Sequence, residues 1–154
     1  MNLRRVGESE TILAQVMMPS DANSQGNVHG GTIMKLVDTA GGIAAIRHAR
    51  HRVVTVIMDS MTFLQPVYVG DLVTIRARLT WTGHTSMETE VRVDAENVAS
   101  GVVTHTSTAY LVYVALDDEG NPCSVPALEM TTDEERARWQ QAEARRAYRL
   151  AARS

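Results

Sequence analysis

The stretch that decides the fold is TIMKLVDTAGGIAAIRHAR, residues 32–50. It shows no strand-like alternation and is apolar over much of its circumference, which predicts a long buried helix. Gly41 and Gly42 lie at its centre among alanines. Because a glycine inside a helix costs about 1 kcal/mol relative to alanine, the pair predicts that a sheet packs closely on the helix or that a ligand fits beside it.

Two histidines, His48 and His51, fall at the end of this helix. The negative end of the helix dipole favours an imidazolium there. We expect these side chains to cap the helix, and a metal site built from them is the alternative.

The segments on either side of the helix have the pattern of strands. Residues 10–18 predict one strand before the helix, and residues 52–60, 72–81, 85–95 and 101–114 predict four after it. Residues 62–69 predict an extended stretch bent at Pro66. Alternation in residues 72–81 places a set of apolar side chains on one face: Val73, Ile75, Ala77, Leu79 and Trp81. Arginines on the opposite face can pair with glutamates of the following strand.

The C-terminal part begins with residues 124–130, which predict an extended linker. Thr132 and Glu135 have the spacing of a capping box, so we expect a closing helix to start there. Its arginines could bind a polyphosphate, but charge alone favours a solvated helix whose acidic residues offset them. The predicted division is residues 1–126 for the main domain and 127–154 for the linker and basic helix.

The order of elements predicts an α+β fold with the long helix lying on a curved antiparallel sheet. A helix that is apolar on several sides cannot be covered by one face of one sheet, so we expect a homo-oligomer. The chain has 154 residues, a net charge of -3 and one cysteine, Cys123. These features predict one cytoplasmic domain that binds neither nucleic acid nor membrane.

One continuous run, PSDANSQGNVHGGTIMKLVDTAG at residues 19–41, resembles the acyl-CoA hydrolase branch of the hotdog-fold thioesterases. That branch includes the brain-type acyl-CoA hydrolase and small bacterial acyl-CoA thioesterases. Further matches follow in the family's order: RHA at 47–49, VVT at 53–55, DSMTFL at 59–64, PV at 66–67, VGD at 69–71 and TSM at 85–87. Several motifs in the right order are far more specific than any one of them.

The resemblance implies a hotdog fold and hydrolysis of acyl-CoA to a free carboxylic acid and CoA, a reaction of lipid metabolism that needs no separate cofactor or metal. It implies assembly from hotdog dimers, as a trimer of dimers and thus a hexamer. By position, Asp38 matches the catalytic carboxylate and Asn27 the active-site asparagine, contributed by opposite subunits. The implied CoA contacts are Val56, Ile57, Met58, Thr85, Ser86, Met87 and Arg146.

The residues themselves fit this chemistry, which needs a positioned water, a base and donors for an oxyanion. Asp38 is the candidate base or nucleophile. The backbone amides of Gly30, Gly31 or Thr32 at the helix start are the candidate donors. An ion pair between Asp38 and Lys35, one turn earlier, is the plain structural alternative.

Other functions remain possible on these residues. A hotdog hydratase or dehydratase would need a well-placed histidine as base, and His29 is a secondary candidate. A non-catalytic acyl-CoA sensor would keep the pocket. The sequence has no Gly-x-Ser-x-Gly elbow, no phosphate-binding glycine loop and no spaced Cys/His set, which argues against a serine hydrolase and a zinc enzyme.

Overall fold

The computed structural model describes residues 3–152. Over this range the chain forms three helices and seven strands, with a 3₁₀ turn at Pro19–Asp21 between the second strand and the long helix. Their bounds, in order, are β1 Leu3–Arg5, α1 Val6–Ser9, β2 Thr11–Val16, α2 Gly30–Ala49, β3 Arg52–Phe63, β4 Leu72–Thr82, β5 Ser86–Asn97, β6 Val102–Leu116, β7 Ala127–Glu129 and α3 Asp133–Ala152.

Five strands form an antiparallel sheet in the order β2-β4-β5-β6-β3, and α2 packs on one face of it. The α+β arrangement expected from the order of elements is confirmed. The core lies between α2 and the inward side chains of the sheet, chiefly Val37, Ala40, Ala44, Ala45, Val73, Ile75, Val91, Val93 and Leu111. Because β3 is the last strand of the sheet, its outer side is an open edge.

Gly41 lies where α2 comes closest to the sheet. A Cβ at this position would lie 2.6 Å from the Tyr113 hydroxyl oxygen and 3.0 Å from that of Thr89. Of the two explanations for the central glycines, close packing against a sheet therefore holds at Gly41. At Gly42 a Cβ would make only an ordinary 3.7 Å contact with the Tyr113 ring.

The strand after the helix is longer than predicted. Instead of a strand over 52–60 followed by a separate extended stretch, β3 runs without a break to Phe63. Two bulges, at Val56 and between Asp59 and Thr62, absorb the irregular pattern that suggested a break. Pro66 lies beyond the strand, as expected of a residue that cannot donate to a ladder.

The hairpin of β4 and β5 is confirmed, with Arg78 and Glu90 forming the expected cross-strand pair at 2.7 Å. One assignment is wrong: Trp81 does not share the inward face of Leu79. A bulge at Thr80 pairs Trp81 with Glu88, which faces away from α2. The indole is buried all the same, because it packs 6.0 Å from Trp139 of α3.

The C-terminal part contacts the rest of the chain at two places. The expected linker contains β7, which pairs in parallel with β1. Helix α3 lies on the face of the sheet opposite to α2, where Arg145 donates two hydrogen bonds to Glu88. The interpretation of α3 as a solvated helix is therefore wrong for its inner face. Only half of the capping box forms, since Thr132 caps the Glu135 amide while the Glu135 carboxylate turns to Thr131.

His48 does not cap the helix as an imidazolium. Its side chain is fully buried, and Nε2 lies 2.7 Å from the carbonyl oxygen of Pro126. Burial lowers the pKa of His48 below its ordinary value, since desolvation disfavours the charged ring. His48 is thus a neutral donor that ties the end of α2 to the segment before β7.

Candidate active site

Asp38 lies at the middle of α2, half-buried and turned toward β3 and β6. Its Oδ1 accepts a hydrogen bond of 2.8 Å from the hydroxyl of Thr55 and lies 2.9 Å from the hydroxyl of Tyr113. The carboxylate is thus held by two hydroxyls of the sheet, and the alternative ion pair with Lys35 does not form. Both hydroxyls contact the same carboxylate oxygen, Oδ1, and not Oδ2.

The phenol of Tyr113 is a neutral donor in this arrangement. Burial first, and then the negative charge of Asp38, raise the pKa of Tyr113 well above its ordinary value. Its hydroxyl oxygen also lies 3.1 Å from the backbone carbonyl of Asp38. A hydroxyl that stays protonated can donate to a carboxylate, so the contact between the two side chains is attractive.

The start of α2 forms a second group of candidate site residues. We call this group and the group around Asp38 the two half-sites. Thr32 donates its N–H to the carbonyl of His29, so within the described chain the amides of Gly30 and Gly31 are the ones that point out of the helix end. Gly30 and Asn27 line a cleft of about 340 Å³, together with Asn23, Ile33, Phe63 and Pro66 among others. Gly30 and the helix N-terminus at this cleft suit it to a partially negative oxygen.

The two half-sites of one protomer are too far apart to act together. Asp38 lies eight residues beyond Gly30, which at 1.5 Å per residue is about 12 Å along the helix. A base and an oxyanion donor must both lie about 3 Å from the reacting group. Thr55, the partner of Asp38, is on the open edge of β3, so a second protomer could approach there.

The two segments predicted to contact CoA lie on either side of β6, in β3 and at the start of β5. Tyr113 of β6 pairs with Thr55 on one side and with Met87 on the other, which sets β3 and β5 about 10 Å apart. Val56 at the bulge is half-exposed, whereas the side chain of Met87 is fully buried in the core. Contact between Met87 and CoA thus finds no support in the protomer.

Three arginines lie in the second half of α3, and two of them form ion pairs with carboxylates. Arg145 binds Glu88, and Arg149 lies 3.0 Å from Asp59 and 3.9 Å from Glu88. Arg146 instead stacks over the ring of Trp81 at 5.2 Å. The resemblance implied Arg146 as a CoA contact, and Arg146 is the one of these three without an ion pair to a carboxylate among residues 3–152.

Sequence reasoning missed Tyr113 and Thr55 as partners of Asp38, and Asn23 in the cleft. Thr55 belongs to a motif that matched the family, and Tyr113 lies on the inward face of its strand, but only the register of β3 and β6 brings them to the same carboxylate. No group of three or more His, Cys, Asp or Glu side chains among residues 3–152 is arranged to hold a metal ion.

Comparison with known proteins identifies the family. The model of the thioesterase superfamily matches residues 25–102. The chain belongs to this superfamily. Among curated members, the acyl-CoA thioester hydrolase YciA of Escherichia coli is 40% identical over 79% of this chain and 94% of its own. The cytosolic acyl coenzyme A thioester hydrolase of Rattus norvegicus is 37% identical over 91% of this chain, which spans 37% of the rat protein's length.

Solved thioesterase structures share the whole fold. A hexameric acyl-CoA thioesterase in its apo form superposes with a TM-score of 0.96 at 34% identity, covering 100% of this chain and 99% of its own. The hotdog fold is thereby confirmed. The acyl-CoA hydrolase from Staphylococcus aureus, solved with butyryl coenzyme A and coenzyme A, gives a TM-score of 0.88 at 32% identity, over 99% of this chain and 95% of its own.

Three alanine variants of the Staphylococcus aureus enzyme have also been solved, at an aspartate, a threonine and an asparagine. By the numbering of those variants, the threonine follows the aspartate by 17 positions and the asparagine precedes it by 15.

Proposed function

We propose that this protein is an acyl-CoA thioesterase of lipid metabolism, which hydrolyses acyl-CoA to a free carboxylic acid and CoA. The observation that carries the proposal is the Asp38 carboxylate, half-buried in α2 and held through Oδ1 by Thr55 and Tyr113 at the open edge of the sheet. The named activities of the E. coli and rat relatives support it. The rat relative is called cytosolic, and we place this protein in the cytoplasm.

In the proposed mechanism Asp38 activates a water molecule, which attacks the thioester carbonyl. With Oδ1 engaged, Oδ2 is the oxygen that faces the water and takes its proton. The tetrahedral intermediate then collapses, the C–S bond breaks, and the proton that Asp38 took from the water passes to the sulfur, so that CoA leaves as a thiol and the carboxylate is restored. Whether the carboxylate first attacks the carbonyl itself does not change which side chain is essential.

A second subunit completes the proposed site. The amides of Gly30 and Gly31 lie about 12 Å along the helix from Asp38 in one protomer, so the oxyanion donors come from a neighbour that approaches the edge of β3. Val54 and Val56 are 44% and 52% exposed on that edge and would be covered by the contact. Hexameric relatives support a trimer of such dimers.

For the active-site asparagine there are two candidates. Thr55 follows Asp38 by the same 17 positions that separate the mutated pair in the Staphylococcus aureus enzyme. Counting 15 positions back from Asp38 leads to Asn23 and not to Asn27. Both line the same cleft, and the Asn23 Oδ1 accepts the Gln25 and Asn27 amides, which leaves its NH₂ as the group to orient a carbonyl or a water. We therefore propose Asn23, as well as Asn27, as a candidate for the active-site asparagine.

CoA would be held by Val56, Ile57 and Met58 of β3, by Ser86 at the start of β5 and by Thr85 just before it. Arg146 is the proposed partner for a CoA phosphate, as a guanidinium that stacks on Trp81 without an ion pair to a carboxylate among the described residues. Met87 does not contact CoA in this proposal; its buried side chain packs in the core and supports the start of β5.

The test is release of free thiol from a series of acyl-CoAs. Asp38→Asn keeps the shape of the side chain but removes the base, and we expect kcat to fall by about 10²–10⁴-fold. Lys35→Ala, one turn earlier on the same helix, is the matched control and should keep wild-type turnover. An unaltered rate in folded Asp38→Asn would reject the assignment. A wild-type protein that binds acyl-CoA and releases no thiol would instead be a sensor or a dehydratase.

Sharing of the site between subunits has its own test. Asp38→Ala subunits are mixed with Asn23→Ala subunits, and separately with Asn27→Ala subunits. In a mixed dimer one of the two sites has both native residues, so random exchange should restore about a quarter of wild-type activity. Whichever asparagine variant is inactive alone and rescued in the mixture is the one in the site. If verified mixed oligomers stay inactive, the residues act within one subunit.

A further inference from the structure

Tyr113 is 1% exposed, and yet its hydroxyl reaches across from β6 to the Asp38 carboxylate on α2. It can do so because the helix has no side chain at Gly41, where a Cβ would lie 2.6 Å from the phenol oxygen. An alanine at this position would push the hydroxyl away from Oδ1. The glycine at the centre of α2 and the tyrosine of β6 thus form one structural unit with the aspartate.

We propose that Tyr113 is a positioning residue for hydrolysis, and that Gly41 provides the space it needs. The inference rests on the proposed thioesterase function and names a residue of the same site that acts through Asp38. With the Tyr113 hydroxyl at 2.9 Å and the Thr55 hydroxyl at 2.8 Å on the same Oδ1, the carboxylate cannot rotate freely. Oδ2 is then kept in one direction, toward the reacting water.

The two donors are not equivalent. Thr55 lies on the exposed edge of β3, where a neighbouring subunit and substrate arrive. Tyr113 is enclosed by α2 on one side and by the sheet on the other, with the hydroxyls of Thr55 and Thr89 beside its own. A donor that is buried and protonated keeps its place whether or not substrate is bound. Tyr113 therefore sets the resting orientation of the carboxylate.

Tyr113→Phe removes one oxygen and leaves the ring, so it tests the hydrogen bond alone. A hydrogen bond to a charged group contributes about 1.5–3 kcal/mol, which corresponds to a fall of about 10- to 150-fold in kcat. KM should stay within about twofold, because the hydroxyl does not touch the substrate. A purely structural role would leave kcat of the folded protein unchanged.

Tyr110→Phe is the matched control. Tyr110 lies three residues earlier on the same strand but on the opposite face, where its hydroxyl donates to the Glu90 carboxylate at 3.2 Å. The substitution also breaks a phenol–carboxylate bond of β6, remote from Asp38. We expect wild-type kcat and KM from it, and an equal loss in both variants would overturn the proposal.

Gly41→Ala and the double variant Gly41→Ala/Tyr113→Phe separate positioning from packing. The single variant should lower both the melting temperature and kcat, since the new methyl group meets the phenol oxygen. The double variant lacks that oxygen but keeps the 3.0 Å approach to the Thr89 hydroxyl, so its melting temperature should recover in part while kcat stays as low as in Tyr113→Phe. Recovery of kcat together with the melting temperature would overturn the proposal.

The thiol-release assay also keeps this inference apart from the proposed function. If the wild-type protein releases no CoA from any acyl-CoA, the thioesterase proposal fails and the positioning role with it. If the wild type is active, Asp38→Asn is inactive and Tyr113→Phe turns over at the wild-type rate, the thioesterase proposal stands and the inference about Tyr113 is wrong.

Discussion

Loss of the ion pair between α3 and the sheet should destabilise the whole protein. Glu88 is 1% exposed and accepts two hydrogen bonds from Arg145, at 2.7 and 3.0 Å. Arg145→Ala removes both and leaves a buried carboxylate. Breaking a buried pair by removing one partner costs about 3–5 kcal/mol. Because Thr80 still donates to Glu88 and Arg149 lies 3.9 Å away, we expect a loss of about 3 kcal/mol, at the lower end.

The measurement is urea unfolding followed by tryptophan fluorescence. Trp81 of the sheet and Trp139 of α3 lie 6.0 Å apart at this contact, so the signal reports on the docking of the helix. Protein concentration must be the same for every variant, since assembly contributes to the apparent stability. A second arm replaces both partners, in Glu88→Met/Arg145→Met. That variant should recover most of the loss, because a buried pair replaced by apolar side chains leaves no unpaired charge.

Arg136→Ala is the control for this experiment. Arg136 pairs with Asp133 on the same helix, with side chains 52% and 95% exposed, and such surface pairs contribute about 0–1 kcal/mol. If Arg145→Ala costs no more than Arg136→Ala, α3 does not depend on Glu88 and the reasoning is refuted. The same result would favour α3 as a separable unit beyond residue 126, a boundary that stays a prediction.

Two further predictions concern the ends of the helices. The lowered pKa of His48 means that the unfolded chain takes up a proton as the pH falls below about 6.5 while the folded chain does not, so stability is kept above that pH and is lost below it. His48→Gln should melt with a smaller drop between pH 7.5 and 5.5 than wild type, and equal drops would contradict the assignment. Thr132→Ala removes the hydroxyl that caps the Glu135 amide at 3.1 Å and should cost about 1 kcal/mol in urea unfolding; no measurable change would show that the start of α3 is held by other contacts.

The elements that the sequence predicts well are those with a long, regular pattern. Helix α2 is a long apolar segment without strand alternation, β4 and β5 alternate over about ten residues, and β6 is a long run typical of a strand. Each is found within a few residues of its expected bounds. The bulges at Val56 and Thr80 could not be predicted, because one extra residue is defined only against its partner strand. The wrong face given to Trp81 follows directly from that.

The docking of α3 was missed for a different reason. Alternation placed Glu88 correctly on the face away from α2, but a period of two says which face a side chain is on and not what covers that face. The arginines of α3 show the same limit, since helical spacing does not tell a solvated arginine from one that reaches a buried carboxylate. Only the contact between two distant segments makes Arg145 and Arg149 structural.

The residues of the candidate site follow partly from a sequence motif and partly from the register of the strands. Asp38 follows from the family motif, whereas Tyr113 and Thr55 are placed beside it by the pairing of β3 with β6. The bulge at Val56 is essential here, because it lets Thr55 and Met58 both face α2 although they are three residues apart. Without it, a strand that presents Thr55 to Asp38 would turn Met58 away from the core.

The proposed subunit contact and the proposed catalytic group lie at the same place, the open edge of β3. Thr55, which holds Asp38, lies between Val54 and Val56, the half-exposed apolar residues that a second subunit would cover. A substitution that prevents the subunits from meeting would therefore expose the carboxylate to bulk water and also remove the amides of the neighbour's α2. Each protomer contains both half-sites, but the length of α2 keeps them apart. Activity should consequently depend on the oligomer even though no residue of the site is missing from the single chain.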